Sequence, residues 1–313
     1  AQKYYQKNMK RKIREVLKEN KIDVVHFDML HMSRYQTLMD GMPTTLTEHN
    51  VESLRILSLL RNSKNVAFKA FMYLQYIKLK SFEKRACAGF DICAAVSEDD
   101  LKALKAMSPD ANLVVIPNGV DTGYFAPDDT PSLPNSLIWV GGMNSIYNRE
   151  AVDFFIEEIL PLIQKEIPGV TFTVVGKSPT KKLLHIAKTN KNIEIVGYVE
   201  DVRPYICKAA VYIAPIKSGG GTKLKVLNAL SLAKPVVTTS VGAEGIEVKD
   251  NKHLVIADDP GLFAKRTIEL LKEPQNAAKL GENGRRLMVE KYDWGIIGEK
   301  MNRIYEKLLN SKC

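Results

Sequence analysis

Cysteine is scarce in this chain: four residues in 313, Cys87, Cys93, Cys207 and Cys313. None is paired with another at metal-ligand spacing, and so few imply no disulfide framework. A reducing compartment fits this usage, and Cys93, set in an apolar run, is expected to be a buried core thiol. Long apolar runs are missing as well. No stretch reaches the roughly 18 residues that a membrane-spanning helix needs. Residues 1–20 are polar and basic, which is not a secretory signal, and the first residue is Ala, which reads as a processed or cut N-terminus. The expected location is cytoplasmic, with peripheral contact at the inner face of a membrane.

Other signatures are absent too. The chain has no internal repeat or low-complexity tract. No Gly-x-x-x-x-Gly-Lys-Ser/Thr loop occurs, and no Gly-x-Gly-x-x-Gly follows the first strand, so a Walker loop and a dinucleotide fingerprint are excluded. The net charge is +9. Phosphorylated small molecules and anionic lipid suit that charge. Nucleic acid does not, because no recognition motif is present and the basic residues are not interleaved with aromatics.

The chain does have 45% apolar residues, enough for sizeable cores, and a length that suggests two domains. Apolar strands alternate with helical segments. The strands are expected at 22–27, 44–47, 91–96, 113–116, 136–140, 170–175, 193–196, 211–214 and 236–239. Helices fall between them, and three more close the chain at 259–273, 275–290 and 296–309. Ser97 before Glu98, Asp99 and Asp100 is a helix cap. This alternation implies parallel sheets covered on both faces, with ligands at the carboxyl ends of the strands. Four of those ends carry glycine: Gly141-Gly142, Gly176, Gly197 and Gly219-Gly220-Gly221. The loop Val241-Gly-Ala-Glu-Gly245 joins the same rim. Residues 121–136, rich in proline and acid, read as a linker.

The stretch from Ala214 to Thr239 is the most informative. It reads as strand, glycine loop, helix, strand. Three glycines let backbone N–H groups approach a ligand closely. Thr222 is expected to open a helix whose N-terminus suits a phosphate. Lys223 and Lys225 in its first turn gain nothing from the helix dipole, so a bound anion explains them better. The plainer alternative is a flexible loop before a core helix.

These residues also resemble a known family. The segment 214–247 is similar to the donor-binding core of family-4 retaining glycosyltransferases, which have the GT-B fold. Asp23-Val-Val-His-Phe, Pro43-Thr-Thr-Leu-Thr-Glu-His-Asn-Val-Glu-Ser53, Ala95-Val-Ser-Glu98 and Val115-Ile-Pro-Asn-Gly-Val-Asp121 resemble its N-terminal domain. Val140-Gly-Gly-Met-Asn, Val174-Val-Gly176 and Gly197-Tyr-Val-Glu-Asp-Val-Arg-Pro-Tyr205 resemble its C-terminal domain. The resemblance runs from about residue 20 to the end.

It implies two Rossmann-like parallel-sheet domains, the N-terminal one incomplete. The divisions are 1–120, a linker at 121–136, 137–292, and a helix at 293–313 that packs back toward the N-terminal domain. It implies a UDP- or GDP-sugar donor, a glycan or lipid-linked acceptor, and no cofactor or required metal. The Asp-Asp pairs at 99–100, 128–129 and 258–259 read as caps and solvated residues. Gly219, Gly220, Gly221, Thr222, Lys223 and Lys225 would hold the diphosphate, with Gly141, Gly142 and Arg149 beside them. Gly197, Tyr198 and Val199 would meet the base, and Asn228 and Glu244 complete the donor set. His49 would lie near the transferred sugar. For Arg149 the alternative is a solvated helix residue, for Tyr198 a core aromatic, and for His49 a structural role.

Two departures stand out. The family's Glu-x7-Glu pair is replaced by Gly220 and Asn228, which bears on donor affinity. The expected first strand and glycine loop of the N-terminal domain are also absent. A half-sheet leaves an exposed edge, open to a second copy, a separate polypeptide or a rearranged helix. Rival readings are a nucleotide-binding module without turnover and, further off, a sugar-nucleotide epimerase. Residues 61–85 carry Arg61, Lys64, Lys69, Lys78, Lys80, Lys84 and Arg85 among Phe68, Phe71, Met72, Tyr73, Leu74, Tyr76, Ile77 and Phe82. A core-facing helix with a solvated basic face is the preferred reading, against a surface resting on anionic lipid.

Overall fold

A computed structural model describes residues 5–62 and 65–310, and the side chains of residues 58, 59, 61 and 62 lie outside the description. The expectations placed on Arg61, Lys64 and Cys313 therefore fall outside the described residues. The chain divides into two compact units, one of Ala1–Pro117 with Ile297–Cys313 and one of Asn118–Ile296.

The first unit runs α1 (Lys7–Glu19), β1 (Val25–Asp28), a 3-10 segment (Leu30–Leu38), β2 (Thr44–Glu48), α2 (Glu52–Asn62), α3 (Val66–Gly89), β3 (Ile92–Ala95), α4 (Glu98–Met107) and β4 (Leu113–Val115). Among the described residues its sheet has the order β1-β2-β3-β4, all parallel. β2 is buried along its whole length, as a strand covered on both faces must be. Phe27 pairs with Leu46 and Leu46 with Cys93 across the strands, and Phe27 meets the Phe90 ring edge-on at 5.0 Å. Cys93 is fully buried, as its apolar run suggests. The Ser97 hydroxyl accepts from the Asp100 N–H at 3.1 Å and caps α4. β1 is an edge strand, with His26 and Asp28 exposed.

The second unit continues with β5 (Ser136–Val140), α5 (Ile146–Phe154), α6 (Leu160–Glu166), β6 (Thr171–Val175), α7 (Lys181–Thr189), β7 (Ile193–Gly197), α8 (Arg203–Lys208), β8 (Val211–Ala214), α9 (Leu224–Ser231), β9 (Val236–Thr238), α10 (Ser240–Ala243), β10 (Val255–Ile256), α11 (Pro260–Lys272) and α12 (Pro274–Leu287). A π turn, Phe155–Ile159, joins α5 to α6 just before Pro161, whose missing N–H breaks the helical ladder. The parallel sheet has the order β10-β9-β8-β5-β6-β7. Its core is built on Trp139, Phe155, Phe172, Tyr212 and Phe263. α13 (Trp294–Asn310) closes the chain and sets Ile297, Met301 and Ile304 against Ala94 and Ile116 of the first unit.

Residues 121–136 run over the surface of the second unit rather than as a free connector. The Arg285 guanidinium donates to the carbonyls of Thr122, Phe125 and Ser231, and Arg203 stacks on Tyr124 at 3.7 Å. The short β10, α10 and the 3-10 segment carry too little periodicity to be read from sequence.

α3 departs from the core-facing helix preferred on sequence grounds. Among its described side chains only Glu83, Ala86 and Cys87 are buried. Val66, Phe68, Phe71, Tyr73, Leu74 and Ile77 are all exposed. Phe68, Phe71, Leu74 and Ile77 recur every three residues, so each neighbours the next and the four wind half-way round the helix.

Candidate functional site

In the second unit the carboxyl ends of β5, β6, β7 and β8 bring the four glycine positions to one rim, as parallel strands require. One glycine there is needed for steric reasons. A Cβ on Gly176 would lie 2.1 Å from the Gly141 carbonyl oxygen, and Gly176 has φ +157. A Cβ on Gly141 would lie 2.7 Å from Lys225 Nζ, the tip of a flexible side chain, so a substitution there moves the lysine rather than the backbone. The backbone is thus drawn close on itself: Gly141 N–H donates to the Val175 carbonyl and Gly176 N–H to the Gly197 carbonyl.

The helix expected from Thr222 opens two residues later, at Leu224, with Lys223 as its extended N-cap. The reason is the lysine itself. Lys223 Nζ donates back to the carbonyls of Gly219 at 3.2 Å and Gly221 at 2.7 Å, which closes the glycine loop before the helix begins. It also lies 3.5 Å from the Glu244 carboxylate, so Glu244 stands at the same loop. Gly219 and Gly221 have φ +107 and +71, a region that favours glycine. The Thr222 hydroxyl reaches the Gly245 carbonyl at 3.5 Å.

Lys225 is the second cation of the rim. Its Nζ donates to Asn148 Oδ1 at 2.6 Å and sits 4.0 Å over the Trp139 ring. Asn148 in turn donates to the Gly142 carbonyl at 2.7 Å. Burial, with the nearby Lys223 charge, lowers the Lys225 ammonium from 10.5 to about 7. Asn228 lies one turn along α9, on the same helix face as Lys225.

The remaining expected residues fall as follows. Arg149 is half-buried and its guanidinium donates to the Met143 carbonyl at 3.0 Å, bracing the turn after Gly142. Tyr198 is 73% exposed, which overturns its reading as a core aromatic. It follows Gly197, at φ +84, while Val199 packs against the core. Asn148, Trp139 and the Ser218–Glu150 hydrogen bond of 2.7 Å were missed in the sequence. The position of Asn148 beside Arg149 in the first turn of α5 was a usable signal.

His49 belongs to the first unit and is described there alone. It follows β2, and its Nε2 lies 2.6 Å from Oδ1 of Asp28, the last residue of the neighbouring β1. Two adjacent parallel strands thus deliver an imidazole and a carboxylate to their carboxyl ends. Asp28 was also missed, although the strand-end rule singles it out. Glu48, just before His49, is buried, and burial with the nearby Cys87, Glu83 and Glu52 pushes its carboxyl up to about 10.

The chain as a whole is similar to known proteins. Residues 134–273 match the family described as glycosyl transferases group 1, and residues 3–124 match glycosyltransferase family 4. A phosphatidyl-myo-inositol mannosyltransferase of Mycobacterium tuberculosis is 26% identical over 226 residues, which span 66% of this chain and 57% of that protein. The chain thus spans little more than half of that relative's length. The structure of sucrose-phosphate synthase from Thermosynechococcus elongatus superposes with a TM-score of 0.77 at 17% identity, covering 97% of this chain and 78% of that one. HepE of Anabaena, solved in complex with UDP, gives 0.74 at 12% identity, covering 96% and 82%. Family matches on both units and the shared pair of parallel-sheet α/β domains show that the chain belongs to the family-4, group 1 glycosyltransferases of GT-B fold.

Proposed function

We propose that this chain moves a sugar from a nucleoside-diphosphate donor, UDP- or GDP-linked, to a glycan or lipid-linked acceptor, with retention at the anomeric carbon and without a required metal. The observation that carries the reading is the glycine rim of the second unit with Lys223 and Lys225 beside it. Breaking a sugar–phosphate bond builds negative charge on the leaving diphosphate. Backbone N–H groups and ammonium groups fixed in advance stabilise that charge without reorganising. Close backbone approach at Gly219, Gly220 and Gly221 gives room for the phosphates. Arg149 braces the facing turn, Tyr198 offers an exposed ring to a base, and Asn228 and Glu244 offer polar atoms to the sugar or ribose. His49, held by Asp28, is the group in the first unit proposed to act on the transferred sugar. The UDP bound to HepE and the mannosyl transfer of the mycobacterial relative support the donor class.

A second reading has an observation of its own. Asn228 stands where the family commonly has a glutamate, and an amide cannot supply a carboxylate. A nucleotide-binding protein with little turnover would fit that change. Titration calorimetry with UDP, GDP and ADP, followed by NMR detection of sugar released from the matching conjugate in EDTA, separates the two. Binding with release is the expected result. Binding without release leaves the module, and no binding by any nucleotide removes both readings.

The exposed apolar residues of α3, with exposed Lys78, Lys80, Lys84 and Arg85 on the same helix, support contact with an anionic bilayer. Such a contact suits a lipid-linked acceptor.

A further inference from the structure

The first unit holds a cavity of about 360 Å³ at the carboxyl ends of β1 and β2, the place where parallel sheets take ligands. One side is apolar, made by Leu30, Leu79 and Phe82. The other is polar, made by Glu48, Asn50 and Arg55. Glu48 is the unusual member. Its side chain is 1% exposed, and its Oε1 has no hydrogen-bond partner among the described residues. A buried polar atom left unpaired is costly, and native structures rarely carry one without a reason.

Among the described residues that line this cavity, Arg55 and His49 each face a carboxylate. The carboxyl of Glu48 is held neutral at ordinary pH by burial and by the acidic groups around it. A neutral carboxyl has one O–H to give and one carbonyl oxygen to accept with. Arg55 is satisfied by Glu52 at 2.9 Å, and His49 by Asp28. This sets the cavity apart from the lysine-bearing rim of the second unit. A phosphate would need a cation to spare, and an amine would need an ionised carboxylate. A neutral ring with hydroxyls on its edge and C–H groups on its face needs neither.

We infer that this cavity holds a neutral pyranose ring of the acceptor, its C–H face on Phe82 and Leu79 and one of its hydroxyls on the Glu48 carboxyl. The inference rests on the transferase reading and assigns that reaction an uncharged sugar as the accepting end. Glu48 then acts as a specificity residue, giving and taking one hydrogen bond each.

Saturation-transfer difference NMR on the full chain tests it, with methyl α-D-mannopyranoside, methyl β-D-glucopyranoside and methyl β-D-galactopyranoside as probes. Ethanolamine and inorganic phosphate serve as charged competitors. At least one glycoside should bind and resist both competitors. Glu48→Gln keeps a donor and an acceptor and should retain that binding. Glu48→Leu strands the hydroxyl and should weaken it by about tenfold or more. Asn50→Ala, at the half-buried rim, should weaken it as well and guards against a Glu48→Leu variant that fails to fold. Nucleotide titration of the same variants should be unchanged, so loss of glycoside binding with nucleotide binding intact speaks to this cavity alone. Glycoside binding that depends on Glu48 in a chain that binds no nucleotide would keep the cavity and remove the donor reading. The inference is overturned if no glycoside binds, if Glu48→Leu and Asn50→Ala bind as the parent does, or if ethanolamine or phosphate displaces the sugar.

Discussion

Lys225 shows at the scale of one residue how a site waits for its charge. The ammonium lies against Trp139 and Asn148 with no carboxylate on it among the described residues, and burial lowers it to about 7. A diphosphate placed beside it would favour the charged form and move it back toward its ordinary 10.5. The sign follows. Above about pH 7 the free chain carries neutral Lys225, so binding must take up a proton, and affinity falls as pH rises. The loss approaches about tenfold per pH unit while the bound form stays protonated. Nucleotide phosphates are already ionised in this range, so they do not blur the effect. Calorimetry with UDP or GDP, whichever binds, at pH 7.5, 8.25 and 9 in two buffers of different ionisation heat reads the uptake directly. Lys225→Met should bind more weakly at pH 7.5 and show a flat profile. A parent chain with no proton uptake would remove Lys225 from the phosphate site. The sequence showed that lysines flank a glycine loop, because strand ends and glycine spacing are local facts. It did not show that Lys223 folds back on Gly219 and Gly221, because a local turn of that kind depends on the glycine dihedrals, or that Lys225 rests on Trp139 of β5, because that contact joins residues far apart in the chain.

Among the elements, the strands were the most legible part, since a parallel strand buried on both faces is a continuous apolar run. α3 was the least legible. Apolar residues lie all round it, so no periodicity tells a packed face from a bare one. Only tertiary placement decided that Phe68, Phe71, Leu74 and Ile77 stay exposed while Ala86 and Cys87 are buried. If these exposed residues rest on a bilayer, sedimentation with vesicles should show binding that needs anionic lipid and fades with salt. Each Lys or Arg near such a surface contributes about 1 kcal/mol. Phe71→Ser with Leu74→Ser should weaken vesicle binding and leave nucleotide affinity unchanged. Equal binding to neutral and anionic vesicles, or no response to the double substitution, would return α3 to the status of an ordinary exposed helix.

On the scale of the whole molecule, each unit has its own hydrophobic core. The large core of the second unit draws every member from residues 120–292. Its proline-rich entry is fixed by Arg285 and Arg203 from within the same unit. Such a body meets the requirement for folding alone. The first unit does not end at Pro117, because Ile297, Met301 and Ile304 of α13 pack on Ala94 and Ile116. A fragment of residues 118–296 should therefore unfold cooperatively and bind the same nucleotide as the full chain, read by thermal denaturation and calorimetry. A chain stopped at residue 296 should instead lose stability in its first unit. Burial of Ile297 alone is worth about 1.5–3 kcal/mol, and Met301 and Ile304 add to it. A fragment 118–296 that folds but binds no nucleotide, beside a full chain that does, would show that the glycine rim is not a sufficient donor site. A fragment that binds normally leaves the first unit, with His49 and the Glu48 cavity, to account for transfer rather than for donor affinity.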